Sequence, residues 1–389
     1  MRARIARRIH DLDVPHDVAP HHHGVGHRIP VRRTYRVGEP VPPAVEDLFV
    51  ASARHGLGLQ DDDDRHGGIA GVCAYPQSAV DGARRSSASD VLEPARGSSG
   101  LTVLGSTTVE RIVLDREQAT GVLLTGSDGG TRMVSAGIVV LSAGAYHTPQ
   151  LLLRSGIGPA DALANAGVPA LHHLPGVGRG LRDHARVELR MPMSPAPSDE
   201  GRRFGDALRL HLRARTSLAQ GGADVDLSLR HPKGRSSVVL MVRLLEQRTA
   251  GEITLAAPAL GGSGGALRVR TGLAAAEADL FALREGLEIG TSILTDDALR
   301  RRYRLDGAIP GARELGSTVA ASGHGVGTCR FGRPGDPDRV VDPDLAVDGL
   351  EGLVIADASV LPVLPHAGPI PAVVAVAEHA VDRVCATLR

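Results

Sequence analysis

The chain has 389 residues with 44 basic and 44 acidic side chains, so its formal net charge is zero. That balance excludes the electrostatic footprint of a nucleic-acid-binding protein. The length suffices for two domains with real cores. With no Trp and four Phe, those cores must be built from Leu, Val, Ile and Ala. Lys occurs once, at Lys233, and the Arg-dominated basic set reads as genomic composition rather than phosphate recognition. Cys73, Cys329 and Cys385 lie too far apart for a disulfide framework or a CxxC metal site. No apolar run approaches the ~18–20 residues of a membrane-spanning helix. The opening "MRARIARRIHDLDVPHDV" lacks the apolar core of a signal peptide, so a soluble cytoplasmic protein is expected.

In chain order, the first sixty residues read as irregular, apart from a helix in "PPAVEDLFVASARHGL". Pro42 and Pro43 suit its first turn, Gly56 its C-terminal cap, and Val45, Leu48, Phe49 and Ala53 share one face. The run Asp61 to Asp64 lacks the spacing of a calcium loop and reads as a solvated turn. From residue 101, "LTVLGSTTVERIVLD", "QATGVLLTG" and "MVSAGIVVLSAGA" read as strands, with "SDGGTR" as a hairpin turn. The pattern predicts an antiparallel meander that delivers a buried strand to a sheet, followed by a helix through "TPQLLLRSG". Gly176, Gly178 and Gly180 read as flexible turns. From residue 186, "ARVELRMPM", "ADVDLSLRH", "SSVVLMVRLLE" and "GEITLAAP" predict one antiparallel sheet, and "AAAEADLFALREGLEIGTSILT" a long helix. "GLVIADASVLP" and "PAVVAVAEHAVDRVCATL" return to a strand and a helix.

Two long segments carry a resemblance. "GAYHTPQLLLRSGIG" (144–158) continues into "GPA…L…AGV…LPGVG…LRDH", and "HGVGTCRFG…VVDPDLAVDGLEGLVIADASVLP" occupies 324–362 toward the C-terminus. With "ARRSSASDVLEPAR" (83–96) and "DLDVP…HHHGVGHRIPVRR", they resemble the glucose–methanol–choline (GMC) family of FAD-dependent oxidoreductases. The resemblance covers nearly all of the chain. It implies an α/β (α+β) fold, a Rossmann-like FAD-binding domain with an inserted antiparallel-sheet substrate domain. The implied division is 1–185 and 311–389 for the FAD part and 186–310 for the insertion. It also implies oxidation of CH–OH donors, with a small-molecule alcohol as substrate and FAD as cofactor.

The implied cofactor contacts are Val109, Ser142, Ala143 and Gly144 near the adenosine half, and Asp357, Ala358 and Gly368 toward the pyrophosphate and flavin. The small residues at 142–145 agree, because a dinucleotide approaches a backbone only where side chains are absent. The helix starting near Pro371 points a positive macrodipole end at the same region. His324, in "SGHGVGTC", matches the family's active-site His, and imidazole has the pKa to take a hydroxyl proton near neutrality. At the second catalytic position, where the family carries His or Asn, this chain has Gly368, with Ile370 two residues on. A family subgroup associated with the peptide-derived redox cofactor mycofactocin has a similar Gly-Pro step. His366, two places early, reads either as a displaced catalytic partner or as a surface His.

His21 to His23, His172 and His173 lack metal-ligand spacing and carboxylate partners, so no metal is expected. Cys329 beside Arg330 could be a reactive thiol or a small buried residue. Ser142 and Ser155 have no nucleophile-elbow context. A strand, Gly-rich turn and helix that grip the FAD pyrophosphate would precede these motifs in the family, and no G-x-G-x-x-G follows a strand here. Three alternatives follow: the C-terminal portion of a flavoenzyme, a chain completed by a separate polypeptide, or a non-enzymatic derivative that only binds.

Overall fold

The computed structural model describes residues 9–13, 29–33, 40–41, 43–60, 70–81, 83–192, 210–230, 237–257, 265–303, 308 and 312–387. His21 to His23, Asp61 to Asp64 and Lys233 lie outside these residues. Two cores organise the described chain. One lies around a parallel strand pair, the other between an antiparallel sheet and a long helix.

The first helix spans Pro43–Arg54. Val45, Leu48 and Ala51 recur at helical spacing and are buried, whereas Ala53 turns outward and Ser52 takes its place inside. Gly56, at φ 80°, ends the helix. Its amide donates to Ala53 O, and the Leu57 amide donates to Ser52 O. These two bonds form a Schellman closure, which needs the left-handed residue that Gly supplies.

The meander forms as expected. Strands Thr108–Asp115, Gln118–Thr125 and Thr131–Ser135 pair antiparallel in sequence order. The chain then passes to Val139–Leu141, which pairs in parallel with Leu353–Ile355, residue for residue. Val139, Leu141, Leu353 and Ile355 are all buried, so the pair runs through the middle of the first core. Helices Gly144–Arg154 and Ile370–Thr387 follow its two strands. Leu152 and Ala372, from those helices, are buried in the same core.

Pro149 sits inside the first of these helices. Proline has no N–H, so the carbonyl four residues back loses its helical partner. That carbonyl belongs to Ala145, and the Thr328 hydroxyl donates to it at 2.7 Å. The compensation ties segment 144–158 to segment 324–330.

The larger sheet has six strands in the order Ala320–Ala321, Ala185–Pro192, Ser237–Leu244, Val225–Arg230, Leu210–Ala214 and Gly71–Ala74. Val187, Leu212, Leu227 and Val242 line its buried face, against helix Glu277–Leu294. Gly286 and Gly290 allow the close approach. A Cβ at Gly286 would lie 2.6 Å from Val242 Cγ1, and one at Gly290 2.7 Å from Leu240 Cδ2. Alternate residues of the same strands, among them Arg186, Asp226 and Arg243, point to the opposite face, as the period-2 geometry of a strand requires.

One strand reading needs correction. Gly251–Leu255 leaves the large sheet and pairs with Arg179–Leu181 and Leu267–Arg270 in a separate three-stranded sheet. Conversely, Gly71–Ala74 and Ala320–Ala321 join the large sheet from distant parts of the chain. The glycines at 176 and 178 do lie in a turn, but close packing against neighbouring backbone also requires them. A Cβ at Gly176 would lie 2.1 Å from Asp338 O, and one at Gly178 2.2 Å from Ile253 O. At both positions the neighbouring backbone leaves no room for a side chain.

Candidate active site

The predicted site residues fall into two connected groups. Val109, Ser142 and Ala143 line one groove of about 620 Å³, together with Thr107, Val140 and His147. Ser142 and Ala143 are exposed at the end of the parallel strand, and the Ser142 hydroxyl donates to Ala356 O at 3.2 Å. Space above Gly144 is open, with no atom within 4 Å of a Cβ built there. The volume lies in the ~300–1,000 Å³ range of small-molecule sites. The groove has an apolar wall that includes Val109, Val122 and Val140, and only the small side chains of Ser142 and Ala143 at the strand end, a lining that fits an adenosine group.

Asp357, at the end of Leu353–Ile355, is buried and fully engaged. Its Oδ2 accepts from the Gly144 amide at 2.9 Å and from the Thr148 hydroxyl at 2.5 Å. Its Oδ1 accepts from the Ser359 amide at 2.8 Å. Thr148 Oγ1 in turn accepts from the Ala143 amide at 3.1 Å. Asp357 therefore caps the start of helix Gly144–Arg154 from a strand far away in sequence, where a helix favours negative charge. Ala358 follows it, half-buried.

The second group surrounds His324, which is half-buried. Asp183, 1% exposed, holds the loop that carries it. The Asp183 carboxylate accepts from the amides of Ser322 at 3.1 Å and His324 at 3.0 and 3.1 Å. The Tyr146 hydroxyl donates to the same carboxylate at 3.3 Å. Burial, with Asp183 beside it, pushes the Tyr146 phenol up to about 12. Gln247 Oε1 accepts from the Asp183 amide at 2.9 Å.

His184 Nδ1 lies 2.8 Å from His324 Nδ1, with the rings nearly perpendicular. His184 Nε2 lies 2.9 Å from Pro365 O. Burial and then the neighbouring His324 push the His184 pKa down to about 3. Burial and then Arg243 lower that of His324, against the opposing pull of Asp183 and Asp226. Both rings are therefore neutral at pH 7. Gly368 sits over the far nitrogen of His324, where a Cβ would lie 3.9 Å from Nε2, and helix Ile370–Thr387 begins two residues later.

A charged cluster on the polar face of the large sheet lies behind these rings. His211 Nδ1 is 2.9 Å from Asp226 Oδ1, and Arg243 bonds the other carboxylate oxygen. Burial opposes ionisation of Asp226, but His211 and the Arg side chains outweigh it and hold the carboxyl well below its usual range.

His366 turns toward Glu246, 2.9 Å away, with its side chain 43% exposed. Its carbonyl accepts from Arg213 Nη2 at 2.9 Å. This contact with Glu246 points the ring away from His184, the neighbour of His324. Burial pushes the Cys329 thiol up, so it is no thiolate, and Arg330 is occupied by Asp336. The Ser155 hydroxyl donates to Leu151 O and accepts from the Ile112 amide. His172 Nε2 meets Asp348 O, and His173 Nδ1 accepts from the Ala160 amide.

Tyr146, Asp183, His184 and Gln247 were not singled out in the sequence. "LRDH" contributed to the resemblance as a pattern, but nothing along the chain indicates that Asp183 and His184 meet residues 322–324. Strand pairing of Ala185 with Ala321 brings them together.

Comparison with known proteins agrees with this architecture. Residues 14–186 match the GMC oxidoreductase N-terminal model and residues 247–377 the C-terminal model. An uncharacterised GMC-type oxidoreductase of Rhodococcus erythropolis is 32% identical over 361 residues, covering 92% of this chain and 71% of that protein. Human mitochondrial choline dehydrogenase is 28% identical over 337 residues, covering 78% and 57%. The crystal structure of pyridoxine 4-oxidase from Mesorbium loti superposes with TM-score 0.85 at 26% identity, covering 99% and 76%. The chain belongs to the GMC oxidoreductase family. It spans 57% to 71% of the length of the relatives at the head of this group.

No described helix is long and apolar enough to cross a membrane.

Proposed function

We propose that the protein is a FAD-dependent oxidoreductase that converts the CH–OH group of a small alcohol to a carbonyl, with His324 as the base. The observation that carries this reading is the His324 ring. One nitrogen is engaged by His184, while the other faces the side-chain-free Gly368. Residues that would hold FAD are Val109, Ser142 and Ala143 at the groove, with Gly144, Ala358 and, beside His324, Gly368. When bound, FAD supplies the acceptor for the hydride.

The chain's own residues do the rest. An alcohol donates hydride poorly until its oxygen loses a proton, and a neutral imidazole held near it accepts that proton. Burial keeps His324 unprotonated at neutral pH. Asp183 holds the amide of His324 and that of Ser322 two residues before it, so the ring is aimed before any substrate arrives. Asp357 fixes the ends of the two parallel strands against each other.

The test is turnover of the FAD-loaded protein over a panel of primary alcohols with an artificial electron acceptor, comparing wild type with His324→Ala. A positioned base contributes roughly 10²–10⁴-fold, so kcat should fall by that factor while FAD stays bound. Equal kcat in both proteins would refute the reading.

A further inference from the structure

We infer that His184 is a positioning residue that fixes which nitrogen of His324 carries the proton, leaving Nε2 bare to face the substrate. The inference deepens the reading of His324 as the base. It follows from the donors and acceptors along a chain of three groups.

The chain begins at the Pro365 carbonyl, which can only accept. His184 Nε2 lies 2.9 Å from it and so must carry a hydrogen. A neutral imidazole has one donor and one acceptor nitrogen. His184 is 2% exposed, where burial disfavours its charged form. Its Nδ1 is therefore bare and accepts. The partner at 2.8 Å is His324 Nδ1, which must then be the donor. The single proton of neutral His324 is thereby placed on Nδ1, and Nε2 keeps its lone pair. Any other assignment of two neutral rings sets lone pairs against each other, at Pro365 O or between the rings.

The starting carbonyl is itself anchored, because Arg213 holds the next carbonyl, that of His366. The charged and titratable groups acting on the two rings are Asp183, Asp226, Arg186 and Arg243. When His324 takes the substrate proton, both of its nitrogens carry hydrogen. The Nδ1–H bond to His184 persists and becomes charge-assisted. The same neighbour thus orients the base before proton transfer and solvates it afterwards. In Ser-His-Asp hydrolases, selection of the wrong imidazole tautomer costs about 10⁴ in kcat, so control of this kind has a known scale.

The tautomer is read directly by long-range ¹H–¹⁵N correlation on the ¹⁵N-histidine-labelled full chain at pH 7.5, a measurement that needs no flavin. His184→Asn and His324→Asn supply the assignments. In wild type, His324 should appear protonated at Nδ1 and His184 at Nε2. In His184→Leu, which removes the acceptor, His324 should shift to a mixture containing the Nε2-protonated form. His184→Asn, whose amide oxygen replaces the accepting nitrogen, should restore the wild-type pattern. In the FAD-loaded enzyme the Leu variant should lose at least about 10-fold in kcat with KM little changed, consistent with partial loss of a general base. The Asn variant should recover most of it.

An Nε2-protonated His324 in wild type overturns the inference, even if no variant folds. So does a His324 tautomer that His184→Leu leaves unchanged. The expected tautomers in a protein that oxidises no alcohol would support the assignment of His184 while refuting the proposed function.

Discussion

Replacing Asp357 by Asn changes one atom of a carboxylate on which three donors converge. In the wild type, Oδ2 accepts from Gly144 N and the Thr148 hydroxyl, and Oδ1 from Ser359 N. The replacement amide can offer its single oxygen to only one side. If it keeps the Gly144 and Thr148 bonds, its NH₂ faces the Ser359 N–H, and a buried donor is left unsatisfied at about 1–3 kcal/mol. The remaining bonds lose their charge assistance, and the start of helix Gly144–Arg154 loses a negative group worth about 0.3–1 kcal/mol. The expected destabilisation is about 2–4 kcal/mol by these terms. Guanidinium melts of both proteins give the difference, and amide hydrogen exchange locates it. Exchange at Gly144 and Ser359 should accelerate more than exchange in helix Glu277–Leu294, which packs in the other core. A loss below about 0.5 kcal/mol, with unchanged exchange at those two amides, would refute the capping argument.

Acid should act through His184. Its folded pKa of about 3 lies below the ordinary value of 6.5, so below pH 6.5 the unfolded chain takes up a proton that the folded chain refuses. Its contribution is full above pH 6.5 and is lost as pH falls toward 3, by about 3–5 kcal/mol from the shift. Melts at pH 7 and pH 4 should show a smaller acid loss in His184→Asn. The lowered pKa of His324 puts the acid limb of the kcat/KM profile of the FAD-loaded enzyme below pH 6.5, and a limb above that value would contradict the buried neutral ring. Gly176→Ala drives a methyl into Asp338 O and should cost about 3 kcal/mol or more in a denaturant melt. Leu287→Ala, in the core under the large sheet, should cost about 2–5 kcal/mol while leaving the absorbance spectrum of bound flavin unchanged.

Local pattern made some elements legible and not others. Helix Pro43–Arg54 announces itself through Val45, Leu48, the prolines and Gly56, because each signal is local to the helix. The meander is legible for the same reason: its turns lie next to its strands. Sheet membership is not local. Gly71–Ala74 and Ala320–Ala321 are short and carry no pattern that names a partner, while Gly251–Leu255 alternates as well as the strands of the large sheet. The motif around His324 singles that residue out, and Val109, Ser142 and Ala143 do meet in one groove. Asp183 and His184 stayed hidden because their roles depend on a strand pairing across more than 130 positions. The glycines at 176 and 178 look alike in sequence whether they serve motion or close contact, and only the carbonyls above them decide it.

The grip of Asp183 on the His324 loop has a consequence for how this pocket can change over generations. The carboxylate holds main-chain N–H groups at positions 322 and 324, and every amino acid except proline brings one. The shape of the loop is therefore indifferent to which side chains it displays. Selection can exchange the residue at 322, or the histidine at 324 itself, on an unaltered frame, while the anchor at 183 has no such freedom. New chemistry in this pocket would begin at the displayed positions and leave the buried carboxylate where it is.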